Sequence, residues 1–515
     1  MRLGSFLVAA AALGVASACG ITDQDTGGPI AESRSEITEA SGPVLDPTGD
    51  TDPVDAANET EGADVAPEPP GSADLPSLSI GDALFPALGS ADVDVSSYDL
   101  RLVVPDDEGP ITGTMVIEAA VRGDAPILPL DAIGLEVEAV SVDGRAATFD
   151  VAEPKLLIDL PADRDETVWT RIEYSFRPGA NRSPAREPIG WQQGVDRSFV
   201  LNEPDGARTW MPSNDHPSDK ARWRFDVSVP HGVSAVANGA LERRGDEPPG
   251  DGRWIWRQDE PMSTYLVQLI VGDYDIVDGG EIVRDDGSLL PLTHVVPAGE
   301  LRTFDTAIDG LDEQLRFFEQ RFGRYPLDRY GLAFVEDLRN LAMETQGRSM
   351  FGARDFTGGE PGFFQELLLS HELAHQWFGN AVSPAMWSDI WLNEAFATYA
   401  QWLWLDHIDR QPLDGYAEAM LRQRRSGSGS TGRPTVDSMF GFNSYDGGAV
   451  VAHALRARIG DDAFFELLTR WVADNVGTSR STSDFIELAS EVAATDLDEF
   501  FDSWLFAEVL PQEYP

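Results

Sequence analysis

The apolar positions of this chain change their period part-way along. Tyr98-Asp-Leu-Arg-Leu-Val-Val, Thr114-Met-Val-Ile-Glu-Ala and Arg222-Trp-Arg-Phe-Asp-Val-Ser-Val alternate apolar with polar residues, the period of a half-buried strand. Asp143-Gly144 and Asn238-Gly239 sit between such runs as turn signals. The pattern predicts an antiparallel β-rich N-terminal domain over residues 89–290. Past about residue 300 the apolar residues fall three and four apart, which predicts helices over 303–321, 364–379, 388–407, 447–459 and 461–475. Tyr330 to Val335 reads as a strand among them. The expected fold class is therefore α+β and multidomain, with a mainly helical domain over 291–515. No internal repeat is evident.

The first 88 residues follow neither pattern. Arg2 followed by the apolar stretch Phe6–Val15 reads as a signal peptide over 1–18, too short to span a bilayer. It ends in Ala16-Ser17-Ala18-Cys19-Gly20, which resembles a bacterial lipobox with Cys19 as the lipidated residue; Ala16 departs from the usual leucine. Residues 19–88 read as an acidic disordered tether: Gly20 to Ile80 holds 14 Asp or Glu against the single base Arg34, too polar to bury the surface that ordering requires. These features predict an exported lipoprotein at the cell surface or in the periplasm, anchored through Cys19, with plain secretion as the alternative. Cys19 is the only cysteine, so no intrachain disulfide is expected. The formal charge of −50 argues against a nucleic-acid partner or contact with an anionic membrane other than through a lipid anchor.

The chemistry is concentrated in Ser370-His371-Glu372-Leu373-Ala374-His375. Residues four apart share a helix face, so both imidazoles can reach one ion with Glu372 beside them. Nineteen residues after His375, Glu394 lies amid Trp391, Leu392, Ala395 and Phe396, where an unpaired charge is costly to bury. His371, His375 and Glu394 thus predict a site for one zinc ion with its fourth position open, and Glu372 the base that deprotonates the attacking water. Asp389 is a candidate to orient a ligand histidine. His216, His231, His294, His407 and His453 show no ligand spacing.

This motif, with Glu394 inside Trp391-Leu-Asn-Glu-Ala-Phe-Ala, resembles the gluzincin aminopeptidases of the aminopeptidase N family of zinc metallopeptidases. Leu341-Ala342-Met343-Glu344-Thr345 resembles that family's Gly-Ala-Met-Glu-Asn segment, Leu341 and Thr345 departing from it. Asn202-Glu203-Pro204-Asp205-Gly206-Ala207-Arg208 resembles its Gln-x-Glu-Pro-x-x-Ala-Arg segment, with Leu201 in place of the glutamine. Ser444-Tyr445-Asp446-Gly447-Gly448-Ala449 resembles its Tyr-x-x-Gly-Ala element, with Gly447 where a lysine is usual. The resemblance implies a thermolysin-like catalytic domain in a short form lacking the family's helical C-terminal domain, and hence a more open cleft. It implies that Ala342 and Met343 pair with the substrate backbone, that Glu344 and Glu203 hold its free α-amine, and that Tyr445 donates to the oxyanion. The implied activity is zinc-dependent release of N-terminal residues from peptides with a free N-terminus. A zinc endopeptidase or other hydrolase of this fold, and a non-catalytic surface binding protein, remain alternatives. Arg422–Arg425 with the Ser/Gly run to Gly432 reads as an exposed connector or a loop gating the site.

Overall fold

The computed structural model describes residues 77–515 apart from 249, 285, 339, 340 and 357. The expected signal over 1–18, Cys19, and the tether as far as residue 76 lie outside the described residues. Residues 77–88, assigned to the tether on composition, are folded. Phe85 and Leu88 are buried, and the Asp82 carboxylate accepts the backbone N–H of Trp387 at 2.6 Å and faces Nε2 of His216 at 3.3 Å. Two apolar side chains and one satisfied carboxylate suffice to dock a segment whose glycine and proline content reads as linker.

The alternating runs lie in an eight-stranded sheet whose centre is formed by Arg253–Ser263, Lys220–Ser228, Val93–Val103, Ile111–Val121 and Thr167–Phe176. Tyr98, Leu100, Leu102, Trp223, Phe225 and Val227 point to its buried face, as a period of two requires. The expected antiparallel arrangement has one exception: Val93–Val103 and Lys220–Ser228 run parallel, because the long connection between them allows a crossover. A second sheet runs Ser234–Ala237, Leu269–Gly272, Ser198–Leu201, Pro188–Gln193, Asn181–Arg182. Asp143-Gly144 closes a tight turn with both residues at positive φ. Asn238-Gly239 instead carries the chain from one sheet to the other.

The second domain begins earlier than residue 291. The hairpin of Tyr274–Val283 and Leu289–Pro297 joins Leu332–Val335, Ser349–Gly352 and Ala342–Met343 in a five-stranded sheet. Alternation marked the hairpin as β structure, but only the pairing of Val295 with Ala333 assigns it to the second domain. The helices of this domain are α1 (Leu301–Asp309), α2 (Leu311–Phe322), α3 (Phe363–Ala374), α4 (Trp391–His407), α5 (Leu413–Ser426), α6 (Asp446–Ile459), α7 (Asp461–Ala473) and α8 (Thr482–Val492), with α1 and α3 packed on the sheet. The helix expected over 303–321 is two, divided at Gly310. The helix expected over 364–379 stops at Ala374, with His375 as its C-cap and Gly379 at φ +116°.

Two helix packings matter for function. The α3 and α4 helices lie in contact, as do α4 and α6. A Cβ on Gly448 of α6 would stand 2.5 Å from the Cβ of Ala395 on α4, so only glycine permits this approach. Polar bonds tie the two domains together: Tyr265 Oη donates to the Gly379 carbonyl at 2.9 Å, Arg348 donates to that of Ala237 at 2.9 Å, and Lys220 Nζ to that of Asn380 at 2.7 Å.

Candidate metal centre and active site

The end of α3 and the start of α4 bring His371, His375 and Glu394 together. Their donor atoms are separated by 3.0 Å (the two Nε2 atoms), 3.3 Å (His371 Nε2 to Glu394 Oε2) and 3.5 Å (His375 Nε2 to Glu394 Oε2). Ligand atoms about 2.0–2.1 Å from a tetrahedral zinc stand about 3.3–3.4 Å apart, so the spacing fits one such ion. Each imidazole's far nitrogen faces an acceptor: His371 Nδ1 lies 3.1 Å from Gln401 Oε1, and His375 Nδ1 lies 3.0 Å from the Phe378 carbonyl. Nδ1 therefore carries the proton and Nε2 offers its lone pair to the metal.

The electrostatics ask for a cation. Burial alone would favour neutral groups, yet His375 is driven up to about 10 because the carboxylates of Glu394 and Glu344 outweigh the loss of solvent. Burial likewise opposes ionisation of Glu394, but the two histidines hold it down at about 2. A proton shared in this way occupies the place a divalent ion would take.

Glu372 projects beside this group and is buried, with Oε2 free of any hydrogen-bond partner. Burial pushes its carboxyl well up; His375 opposes the shift, and Glu344 and Glu394 add to it. Tyr445 precedes α6, and its ring stacks 5.9 Å from that of His371 at an interplanar angle of 12°. Burial, reinforced by Glu394 and Glu203, raises its phenol well above the ordinary range, so the hydroxyl stays a donor.

Glu203 arrives from the loop after the strand Ser198–Leu201 and Glu344 from the end of the strand Ala342–Met343. Carboxylate oxygens of Glu203, Glu344 and Glu394 lie within 4.8 Å of one another. Glu203 and Glu344 each keep one buried oxygen without a partner, and no lysine or arginine among the described residues pairs with either. Gln376 and Asn380 place Glu344 by donating to its backbone carbonyl at 3.1 and 2.5 Å. Ala342 and Met343 form the edge strand of the five-stranded sheet, paired on one side only with Phe351 and Met350.

The Peptidase family M1 domain model matches residues 306–504, and the Peptidase M1 N-terminal domain model matches 193–266. An M1 zinc metallopeptidase from Deinococcus radiodurans, in a mutant form bound to a Tyr-Ser-Ala substrate, is 30% identical, with a TM-score of 0.75 over 85% of this chain and 100% of its own. The chain belongs to peptidase family M1. The same bacterium's M1 enzyme without a named ligand superposes with a TM-score of 0.74 at 29% identity, over 85% of this chain and 99% of its own. Among curated M1 relatives, probable aminopeptidase 2 of Sulfurisphaera tokodaii and leucyl aminopeptidase of Saccharolobus solfataricus are each 25% identical over 75% and 80% of this chain. The chain spans about half the length of these two, 50% and 53%.

Within this M1 site several residues depart from the sequence expectations. Asp389 does not orient a histidine: it accepts from the backbone N–H and hydroxyl of Thr482 at 3.0 and 2.7 Å and from the Met386 N–H at 3.2 Å, capping the turn before α4. The orienting groups are Gln401 and the Phe378 carbonyl. Gln401 follows Glu394 by seven residues and so shares its helix face, a signal the spacing carried; the carbonyl left none. The segment 422–432 is an exposed connector only in part: Arg422 and residues 426–428 are exposed, and the rest packs against the body. Its first half belongs to α5, Arg424 is fully buried and donates to the carbonyls of Gly429, Ala507 and Glu508, and Thr431 is buried as well. A Cβ at Gly447 would stand 3.0 Å from the Phe442 carbonyl oxygen and 3.1 Å from Arg424 Cδ, which accounts for the glycine there. Tyr399, by contrast, bonds His453 and Arg456 in the core and does not reach the metal group.

Proposed function

We propose that the protein is an aminopeptidase that uses a single zinc ion to release N-terminal residues from peptides. One observation carries this reading: two carboxylates that each keep a buried oxygen without a partner, the half-buried Glu203 and the buried Glu344, converge within 4.8 Å of the metal-ligand carboxylate Glu394. Unpaired buried anions are costly, and a substrate's α-ammonium group relieves both at once through charge-assisted hydrogen bonds. Anchoring the amine there leaves room for one residue before the metal.

When bound, the zinc ion supplies Lewis-acid chemistry, polarising a carbonyl and acidifying water. Glu372 takes the proton of the attacking water and returns it to the departing amine, its buried oxygen having no hydrogen-bond partner within the protein. Tyr445 keeps its proton and donates to the developing oxyanion. The free edge of Ala342–Met343 accepts an extended peptide as an added strand. Acetylating the N-terminus of a peptide substrate should lower its cleavage about 10⁴-fold, because the amine anchors are then left unpaired. Equal cleavage of free and acetylated peptides would mark an endopeptidase instead.

We further propose export with anchoring through Cys19, on the signal-like sequence of residues 1–18 and the small residues before the cysteine. A metabolically incorporated fatty-acid probe should label the protein and miss the Cys19→Ala variant. Equal labelling of both would refute the anchor.

A further inference from the structure

The cavity beside the amine anchors contains a carboxylate that the proposed reaction does not use. Glu187 lines it together with Leu201, Glu203, Met343 and Phe440. It immediately precedes the strand Pro188–Gln193. That strand pairs with Ser198–Leu201 in a register of Gly190 opposite Leu201, and Glu203 lies two residues beyond Leu201. Glu187 is 7% exposed, and its Oε2 is buried without a hydrogen-bond partner. The adjacent Arg186 turns away and pairs with Asp437 at 2.8 Å.

Glu187 is close enough that its charge raises both Glu203 and the Tyr445 hydroxyl. Burial pushes its own carboxyl up to about 7, which fits an acid with no counter-ion of its own. The walls leading to it are apolar: Leu201, Met343 and Phe440 are each less than one-tenth exposed. An aliphatic stem against such walls with a cation at the far end is how lysine and arginine side chains bury themselves. The free cavity measures only about 20 Å³. A long side chain must therefore displace a wall residue, and the unbranched Met343 adapts at least cost.

We propose that Glu187 is a specificity-determining residue that selects peptides beginning with arginine or lysine, by receiving the cationic end of the first side chain while Glu203 and Glu344 hold its α-amine. This inference rests on the aminopeptidase reading, and the experiment separates the two. Arginyl, citrullyl, lysyl, norleucyl and leucyl coumarin amides are assayed with the zinc-loaded full chain and its Glu187→Gln variant. Arginine and citrulline differ little in shape but differ in charge, as do lysine and norleucine. Wild-type kcat/KM should favour arginine over citrulline, and lysine over norleucine, by at least about tenfold. Glu187→Gln should bring both ratios to within about threefold of unity. Wild-type ratios near unity, or ratios unchanged in the variant, would overturn the assignment. If the variant does not fold, competitive inhibition of wild-type leucyl turnover by free arginine against free citrulline decides: equal inhibition overturns the assignment, and stronger inhibition by arginine supports it. Absence of turnover with every amide would defeat the aminopeptidase reading itself and this inference with it.

Discussion

Glu372→Gln should lose about 10²- to 10⁴-fold in kcat, the range of a positioned general acid–base, while taking up zinc as the wild type does. The substitution keeps the size of the side chain and removes only its capacity to accept and return a proton. Glu372 is not one of the three residues whose donor atoms converge, so the ion has no direct stake in it. Its unpartnered oxygen means that no protein hydrogen bond is broken by the exchange, and the fold should be unaffected. Turnover of leucyl coumarin amide and zinc titration calorimetry on the same samples provide the two readouts. A variant within about tenfold of wild-type kcat would show that proton transfer is carried by some other group.

Removing the metal should abolish turnover and lower the thermal midpoint, and stoichiometric zinc should restore both. A ligand that binds only the folded state at about a thousand times its Kd contributes about 4 kcal/mol, which for a chain of this size is on the order of 4 °C. The ligands His371, His375 and Glu394 are at most 5% exposed, so without the ion their charges are compensated by a proton rather than by water. That proton fixes the sign of the pH dependence. With His375 held up at about 10, zinc must displace one proton, and its affinity should weaken about tenfold for each pH unit lowered across neutral pH. Calorimetric scans with chelator and with zinc, at pH 6 and pH 8, measure both effects. An unchanged midpoint together with no stoichiometric uptake would end the case for a metal centre.

Neither result depends on how the substrate is chosen, whereas specificity does, and here the two levels of description part. The convergence of His371 and His375 was legible because a helix converts spacing into geometry: four residues separate the histidines, and the 3.6-residue period places them on one face. Glu394 was legible because an acid among tryptophan and leucine needs a reason to be buried. The strands of the large sheet were legible because Tyr98, Leu100, Leu102, Trp223, Phe225 and Val227 alternate with polar partners, and the pleat turns alternation into one buried face.

Groups that meet across distant parts of the chain left no such trace. Glu203 and Glu344 are 141 residues apart, and their convergence on Glu394 is produced by the packing of the two domains; their roles were assigned in the sequence only through family resemblance. Glu187, Gln376, Asn380 and the Phe378 carbonyl lie beside the site through contacts that no local period encodes. The docking of residues 77–88, the packing of 422–432 and the attachment of the Tyr274–Pro297 hairpin to the second domain depend on what lies opposite each segment. By itself the sequence determined the β-rich first part, the mainly helical second part and the helix face that His371 and His375 share, because these follow from periodicities of two and of 3.6. The tertiary structure alone decided which buried charges share a cavity, since burial and Coulomb interaction act through space and are indifferent to order along the chain.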